Sequence, residues 1–82
     1  MFYTYLLQSQ KDDKFYIGST VDLKRRFGEH NDGKVNSTRN RRPLKLIYYE
    51  AYSLESLARE REQKLKDFGS AYYALLKRLK LK

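Results

Sequence analysis

The apolar residues of this chain follow two different rhythms. From Phe2 to Leu7 aromatic and aliphatic side chains run together with little interruption, which predicts a buried strand. Ser9-Gln10-Lys11-Asp12-Asp13 is polar and turn-forming, and Lys14 to Thr20 returns to strand-forming residues, so the pair predicts an antiparallel hairpin. Beyond it the period lengthens. Leu23, Arg26, Phe27 and His30 recur at helical spacing, and Thr20 or Asp22 is placed to cap a helix from about Leu23 to His30. Asn31-Asp32-Gly33 ends that helix and opens a polar, basic loop through Arg42. Leu44 to Tyr52, after Pro43, reads as a third strand. Ser53 is placed to cap a longer helix with Leu54, Leu57, Ala58, Leu65 and Phe68 as its apolar stripe. Gly69-Ser70 breaks it, and a last amphipathic helix is expected over Ala71 to Leu81, with Lys77, Arg78, Lys80 and Lys82 on its outer side.

These periods also say which side chains share a face. Strand alternation puts Tyr3 with Tyr5, and Tyr16 with Gly18; hairpin register can make the two faces one. On the first helix Arg26 and His30 fall on the stripe of Leu23 and Phe27, while Lys24 and Arg25 point to solvent. On the second, Arg61 interrupts the stripe, Glu62 sits at its edge beside Ala58 and Leu65, and Glu60 points outward. A charge on a packed stripe is costly unless it is paired or working. The expected architecture is an α/β (α+β) domain over residues 1–82, a small, mostly antiparallel three-stranded sheet flanked by about three helices.

Composition narrows the partners. Eighteen Lys and Arg stand against ten Asp and Glu, a formal net charge of +8, which favours a polyanion, nucleic acid first. The absence of cysteine excludes a disulfide framework and a thiolate metal site, and one His cannot build a zinc centre. No apolar run approaches a membrane span, and the opening Met1 to Leu7 is too short, and lacks the basic lead-in, for a signal peptide. A cytoplasmic protein is expected.

Tyr3-Thr4-Tyr5, Tyr16-Ile17-Gly18 and Lys24-Arg25-Arg26 together gather phenols, a close backbone approach and fixed positive charge, a set suited to a phosphodiester. With these residues the chain resembles the GIY-YIG endonucleases, particularly the small members that consist of little beyond the nuclease module. Tyr3-Thr4-Tyr5 stands in the first motif's place, with Tyr3 where that motif has glycine and Thr4 where it has isoleucine, and Tyr16-Ile17-Gly18 matches the second. Gly18 to Arg26 followed by His30, Thr38-Arg39 with Arg41-Arg42-Pro43, Leu46 to Glu50, and Ala58 to Glu62 resemble the segments that follow in that family, in the same order.

The resemblance implies roles. Tyr5 and Tyr16 would be paired active-site tyrosines, with Tyr5 the favoured one to position or deprotonate the attacking water. A free phenol has a pKa near 10, so it needs nearby cations to serve as a base at neutral pH. Arg26 would neutralise the phosphate as its charge develops. His30 would contact phosphate or orient a tyrosine. Glu62 would hold a divalent cation, Mg2+ first, which takes one or two carboxylates and keeps several waters. Each has a plainer use: tyrosines pack in strands, Arg26 can lie along Phe27, and Glu62 can pair with Arg59 or Lys66. Arg61 has no role in the resemblance; a strand carbonyl or a carboxylate such as Glu50 is its expected partner.

Lys14, Lys24, Arg25, Lys34, Arg39, Arg41 and Arg42 are the expected nucleic-acid contacts. Such cations hold phosphates and read little sequence, which predicts low selectivity and strong salt dependence. The expected activity is hydrolysis of DNA phosphodiester bonds in repair or recombination, on single-stranded, duplex or branched DNA, with a partner protein supplying specificity. The alternative is a nucleic-acid-binding module that keeps the fold without catalysis.

Overall fold

The first strand of the chain becomes the middle strand of the sheet. A computed structural model describes residues 1–81, in which β1 (Phe2–Ser9) lies between β2 (Phe15–Thr20) and β3 (Leu44–Tyr52), antiparallel to both. The helices are α1 (Leu23–Asn31), α2 (Glu55–Lys66) and α3 (Ser70–Arg78), and a short 3-10 turn, Arg39–Arg41, interrupts the basic loop. A middle strand is covered on both faces and has no edge, which accounts for the unbroken apolar run of β1. The hairpin turns at Asp13, whose φ of 61° is one that Asp tolerates.

One face of the sheet carries the core. Leu6, Ile17, Leu65, Tyr72, Leu75 and Leu76 form a buried cluster between the sheet, α2 and α3. The β1–β3 register slips between Leu6, paired with Tyr48, and Leu7, paired with Leu46. Ile47 is the extra residue of this bulge, and both Ile47 and Tyr48 pack against the cluster.

The cap and stripe expected for α2 are corrected by the structure. Leu54, not Ser53, is the residue at its N-cap, and no side chain closes that end. Leu54, Leu57 and Phe68 are exposed, and only Ala58 and Leu65 of the five expected stripe residues are buried. The inward face is Ala58, Arg61, Glu62 and Leu65, spaced as one helical stripe, because the sheet offers polar partners there. Thr4, buried in β1, donates from Oγ1 to the Ala58 carbonyl at 2.7 Å. Arg61 donates from Nε and Nη2 to the two oxygens of Glu50 on β3, at 3.0 and 3.1 Å. Burial opposes the charge on Glu50, but hydrogen bonds from Tyr52, Arg61 and Tyr48 outweigh it and hold its carboxyl below the usual range. Two strands thus grip α2 on either side of one turn.

The last helix ends at Arg78 rather than Leu81, because Lys80 adopts a left-handed φ of 60°. Leu79 and Leu81 still pack on the core, and Lys82 lies outside the described residues. Among the described residues no helix is long and apolar enough to cross a membrane.

Candidate active site

Register builds the site on the other face of the sheet. Tyr5 sits opposite Gly18 on β2, and Leu7 opposite Tyr16, so Tyr5, Tyr16 and Gly18 share the face that α1 covers. The Tyr5 phenol leans across Gly18: a Cβ at that position would lie 2.4 Å from Tyr5 Oη and 2.5 Å from Cζ. Only glycine leaves that room. Tyr5 and Tyr16 have ring centroids 6.5 Å apart, and the His30 ring sits 5.7 and 5.0 Å from them, edge-on to both.

Asp22 starts α1 by accepting from the Arg25 N–H at 3.1 Å, while Thr20 Oγ1 accepts from the Asp22 N–H one step earlier. The helix then delivers His30 into the interior, where it is fully buried. Its Nε2 lies 2.9 Å from Tyr5 Oη and its Nδ1 2.8 Å from Thr38 Oγ1. The Thr38 hydroxyl donates to the Val35 carbonyl at 3.5 Å, so its oxygen accepts from Nδ1–H, and the Tyr5 hydroxyl donates to Nε2. Of the two roles expected for His30, the bond to Tyr5 and the burial of the ring fit orienting a tyrosine.

Burial, helped by the positive charge of Arg26, lowers the His30 pKa to about 4. The unfolded chain then binds a proton that the native one refuses between roughly pH 6.5 and pH 4. Stability should therefore be complete above that window and fall as the pH drops through it. This is the chain's one histidine, so imidazole NMR reports it without assignment ambiguity. We expect an apparent pKa well below 6.5 and a urea midpoint that falls between pH 6.5 and 4; an ordinary histidine titration would mean the ring is not enclosed.

Burial also pushes the Tyr5 phenol up to about 12, with Tyr16 and the negative charge of Glu62 adding to the rise. Arg26, whose positive charge favours the phenolate, works in the opposite sense and is outweighed. Arg26 thus acts in the direction expected of a neighbouring cation, but desolvation is the larger effect in a phenol 2% exposed. Tyr16 is half-buried and is the more accessible of the two residues.

Arg26 is partly exposed, with Nη1 donating to Glu29 Oε1 at 3.1 Å. Glu62 faces β2, one of the two outer strands, and Oε1 accepts from Ser19 Oγ at 2.7 Å. Its other oxygen, Oε2, lies 2.7 Å from Lys66 Nζ, while Arg59 pairs with Glu55 instead. Among the described residues no group of three or more His, Cys, Asp or Glu side chains could hold a metal ion. A cation here would have one carboxylate and its own waters, a donor set that fits Mg2+ and requires the half-exposed Lys66 ammonium to move aside.

The basic residues divide into two patches. Lys24, Arg25 and Lys34 line one shallow depression, interleaved with Asp22, Glu29 and Asp32. Arg39 and Arg42 line another with Lys11 and Asn31, and Lys14 is exposed near the hairpin turn. Arg41 departs from the expected set of surface cations. Its side chain is 24% exposed, lies 3.6 Å from Asp12 Oδ2 and donates to the Phe15 carbonyl at 3.3 Å, bracing the hairpin. Sequence reasoning missed Thr4, Ser19, Thr38 and Lys11. Ser19 was findable, since it follows Gly18 on the opposite face of β2; Thr38 lies in an aperiodic loop that carries no such signal.

The comparisons agree with this geometry. The chain matches the GIY-YIG catalytic domain over residues 1–73. It is 36% identical over 67 residues to a UPF0213 protein of Haloquadratum walsbyi, covering 80% of this chain and 74% of that protein. A UPF0213 protein of Staphylococcus haemolyticus is 39% identical over 68 residues, covering 82% of each. The solution structure of a UPF0213 protein from Bacillus halodurans superposes with a TM-score of 0.59 at 32% identity, covering 98% of this chain and 86% of that one. Strand order, the Tyr5 phenol over Gly18 and the extent of the match lead to one conclusion: this chain belongs to the GIY-YIG family of nuclease domains.

Proposed function

We propose that the protein is a metal-dependent endonuclease that hydrolyses phosphodiester bonds in DNA with low sequence selectivity. The observation that carries this reading is the convergence of Tyr5, Tyr16, Arg26 and His30 on one sheet face, with Glu62 close enough for its charge to act on the Tyr5 phenol. Glu62 would hold the divalent cation, whose charge, when bound, stabilises the scissile phosphate and the leaving oxygen. Arg26 binds the phosphate and neutralises charge as it develops, a task for a rigid fork that never loses its proton. Tyr16, the more accessible of the two tyrosines, orients the attacking water. Tyr5 remains protonated at neutral pH and holds the centre together, donating to His30 beside the charge of Arg26. Ser19, Thr4 and Arg61 keep Glu62 at the edge of the site.

Exposed lysines and arginines contact phosphates rather than base edges, so selection of a target in repair or recombination would fall to a partner protein. A second reading, a binding module without catalysis, draws support from the Lys66 ammonium seated on Glu62. Cleavage of labelled single-stranded, duplex and branched DNA, with Mg2+ and with EDTA, separates the two. We expect magnesium-dependent cleavage that Arg26→Ala reduces about a hundredfold or more with most binding kept. Salt-sensitive binding with no cleavage of any substrate would leave the binding module as the better account.

A further inference from the structure

On the β3 side of Tyr5 the same sheet face carries a second feature that the catalytic reading does not use. Tyr3, Val21, Leu23, Phe27, Leu46 and Tyr49 line an open groove of about 690 Å³, with Lys24 and Asp22 beside them. Tyr49 is 52% exposed, and its ring meets that of Tyr3 at a centroid distance of 5.9 Å and an angle of 67°. An aromatic wall left open in so small a domain is costly to keep in water unless something covers it.

Its position names the occupant. Tyr49 is the cross-strand partner of Tyr5, so the groove and the phenol cluster lie one strand apart, about 5 Å. The helix α1 serves both, turning Leu23 and Phe27 to the groove and Arg26 and His30 to the phenols. A strand of nucleic acid held at Arg26 thus has the groove beside it, on the same helix and the same sheet face. Lys24 is exposed beside the groove and complements a flanking phosphate. Asp22 does not oppose this strongly, because its carboxylate caps α1 and lies 3.7 Å from Arg25 Nε.

We propose that this groove receives one unpaired nucleobase of single-stranded DNA, stacked on Tyr49 and walled by Tyr3 and Phe27. The inference rests on the nuclease reading only in taking nucleic acid as the ligand. Stacking on an aromatic ring is sequence-tolerant, which matches a surface poor in base-reading groups. A base inside a duplex is stacked and paired already, and enters such a groove only if it is flipped out. The subsite thus favours unpaired DNA beside the cleaved bond.

Binding is measured by fluorescence anisotropy in EDTA, where no cleavage occurs, with a labelled single-stranded oligonucleotide and a fully paired duplex. Tyr49→Ala should weaken single-strand binding about tenfold and leave duplex binding unchanged, while Tyr49→Phe, which keeps the ring, should bind as wild type. A 2-aminopurine base in the single strand should be quenched by wild type and by Tyr49→Phe. Equal effects of Tyr49→Ala on single strand and duplex, or none on either, overturn the proposal. So does an unquenched probe with wild type, whatever the variants do. If wild-type protein binds neither DNA at low salt, the nucleic-acid reading falls with it; binding without groove dependence removes the groove alone.

Discussion

Gly18→Ala should slow DNA cleavage at least about a hundredfold, the usual cost of displacing a reacting group by an ångström. The added Cβ would lie within 2.4–2.7 Å of three Tyr5 atoms, Oη, Cζ and Cε2. The ring cannot simply swing away, because Tyr5 is buried and its hydroxyl is held by His30. Relief requires either loss of that hydrogen bond or separation of β1 from β2, and both unseat the phenol from Arg26. The same crowding should cost about 1–3 kcal/mol of stability. For a domain of this size that is a melting temperature lower by roughly 5–20 °C. Gly28→Ala is the control. A Cβ there meets nothing within 4 Å on the exposed side of α1, so cleavage should persist and the helix should gain about 1 kcal/mol. Single-turnover cleavage and thermal melting of the two variants make the test; wild-type cleavage by Gly18→Ala would mean that the position of Tyr5 is irrelevant to catalysis.

Glu62→Gln should lower magnesium-dependent cleavage about a thousandfold, with DNA binding kept or slightly tightened. Glutamine retains an oxygen to accept from Ser19 Oγ, so α2 should stay where it is and melting should change little. What it loses is the charge that Lys66 balances in the free protein and that a cation would use in catalysis. Because no cluster of three or more ligating side chains stands in for Glu62 among the described residues, more magnesium should not rescue the variant. Cleavage by Glu62→Gln at the wild-type rate would reduce Glu62 to a helix-surface partner of Lys66.

Much of this fold was legible residue by residue. The third strand occupies Leu44–Tyr52 as its pattern predicts, and α1 runs one residue beyond its expected end. The shared face of Tyr5, Tyr16 and Gly18 follows from two strands alternating in one hairpin. The stripe of Leu23, Arg26, Phe27 and His30 follows from the helical period, and the pairing of Arg61 with Glu50 from the need to neutralise a charge facing the sheet. In α2 the pattern misled, because its inward stripe is half polar and an apolar count points to the wrong side.

Alternation and helical period are properties of neighbouring residues, and for that reason the sequence by itself determined the hairpin, the first helix and the face shared by Tyr5, Tyr16 and Gly18. The tertiary structure alone decided the rest. It placed the opening strand in the middle of the sheet, brought Thr38 to His30 and Thr4 to the Ala58 carbonyl, and turned Arg41 into a brace. It also decided the protonation of the site. Burial raises Tyr5 against the pull of Arg26 and lowers His30 with its help, because desolvation sums over every group packed around them, and that sum exists only once distant segments have met.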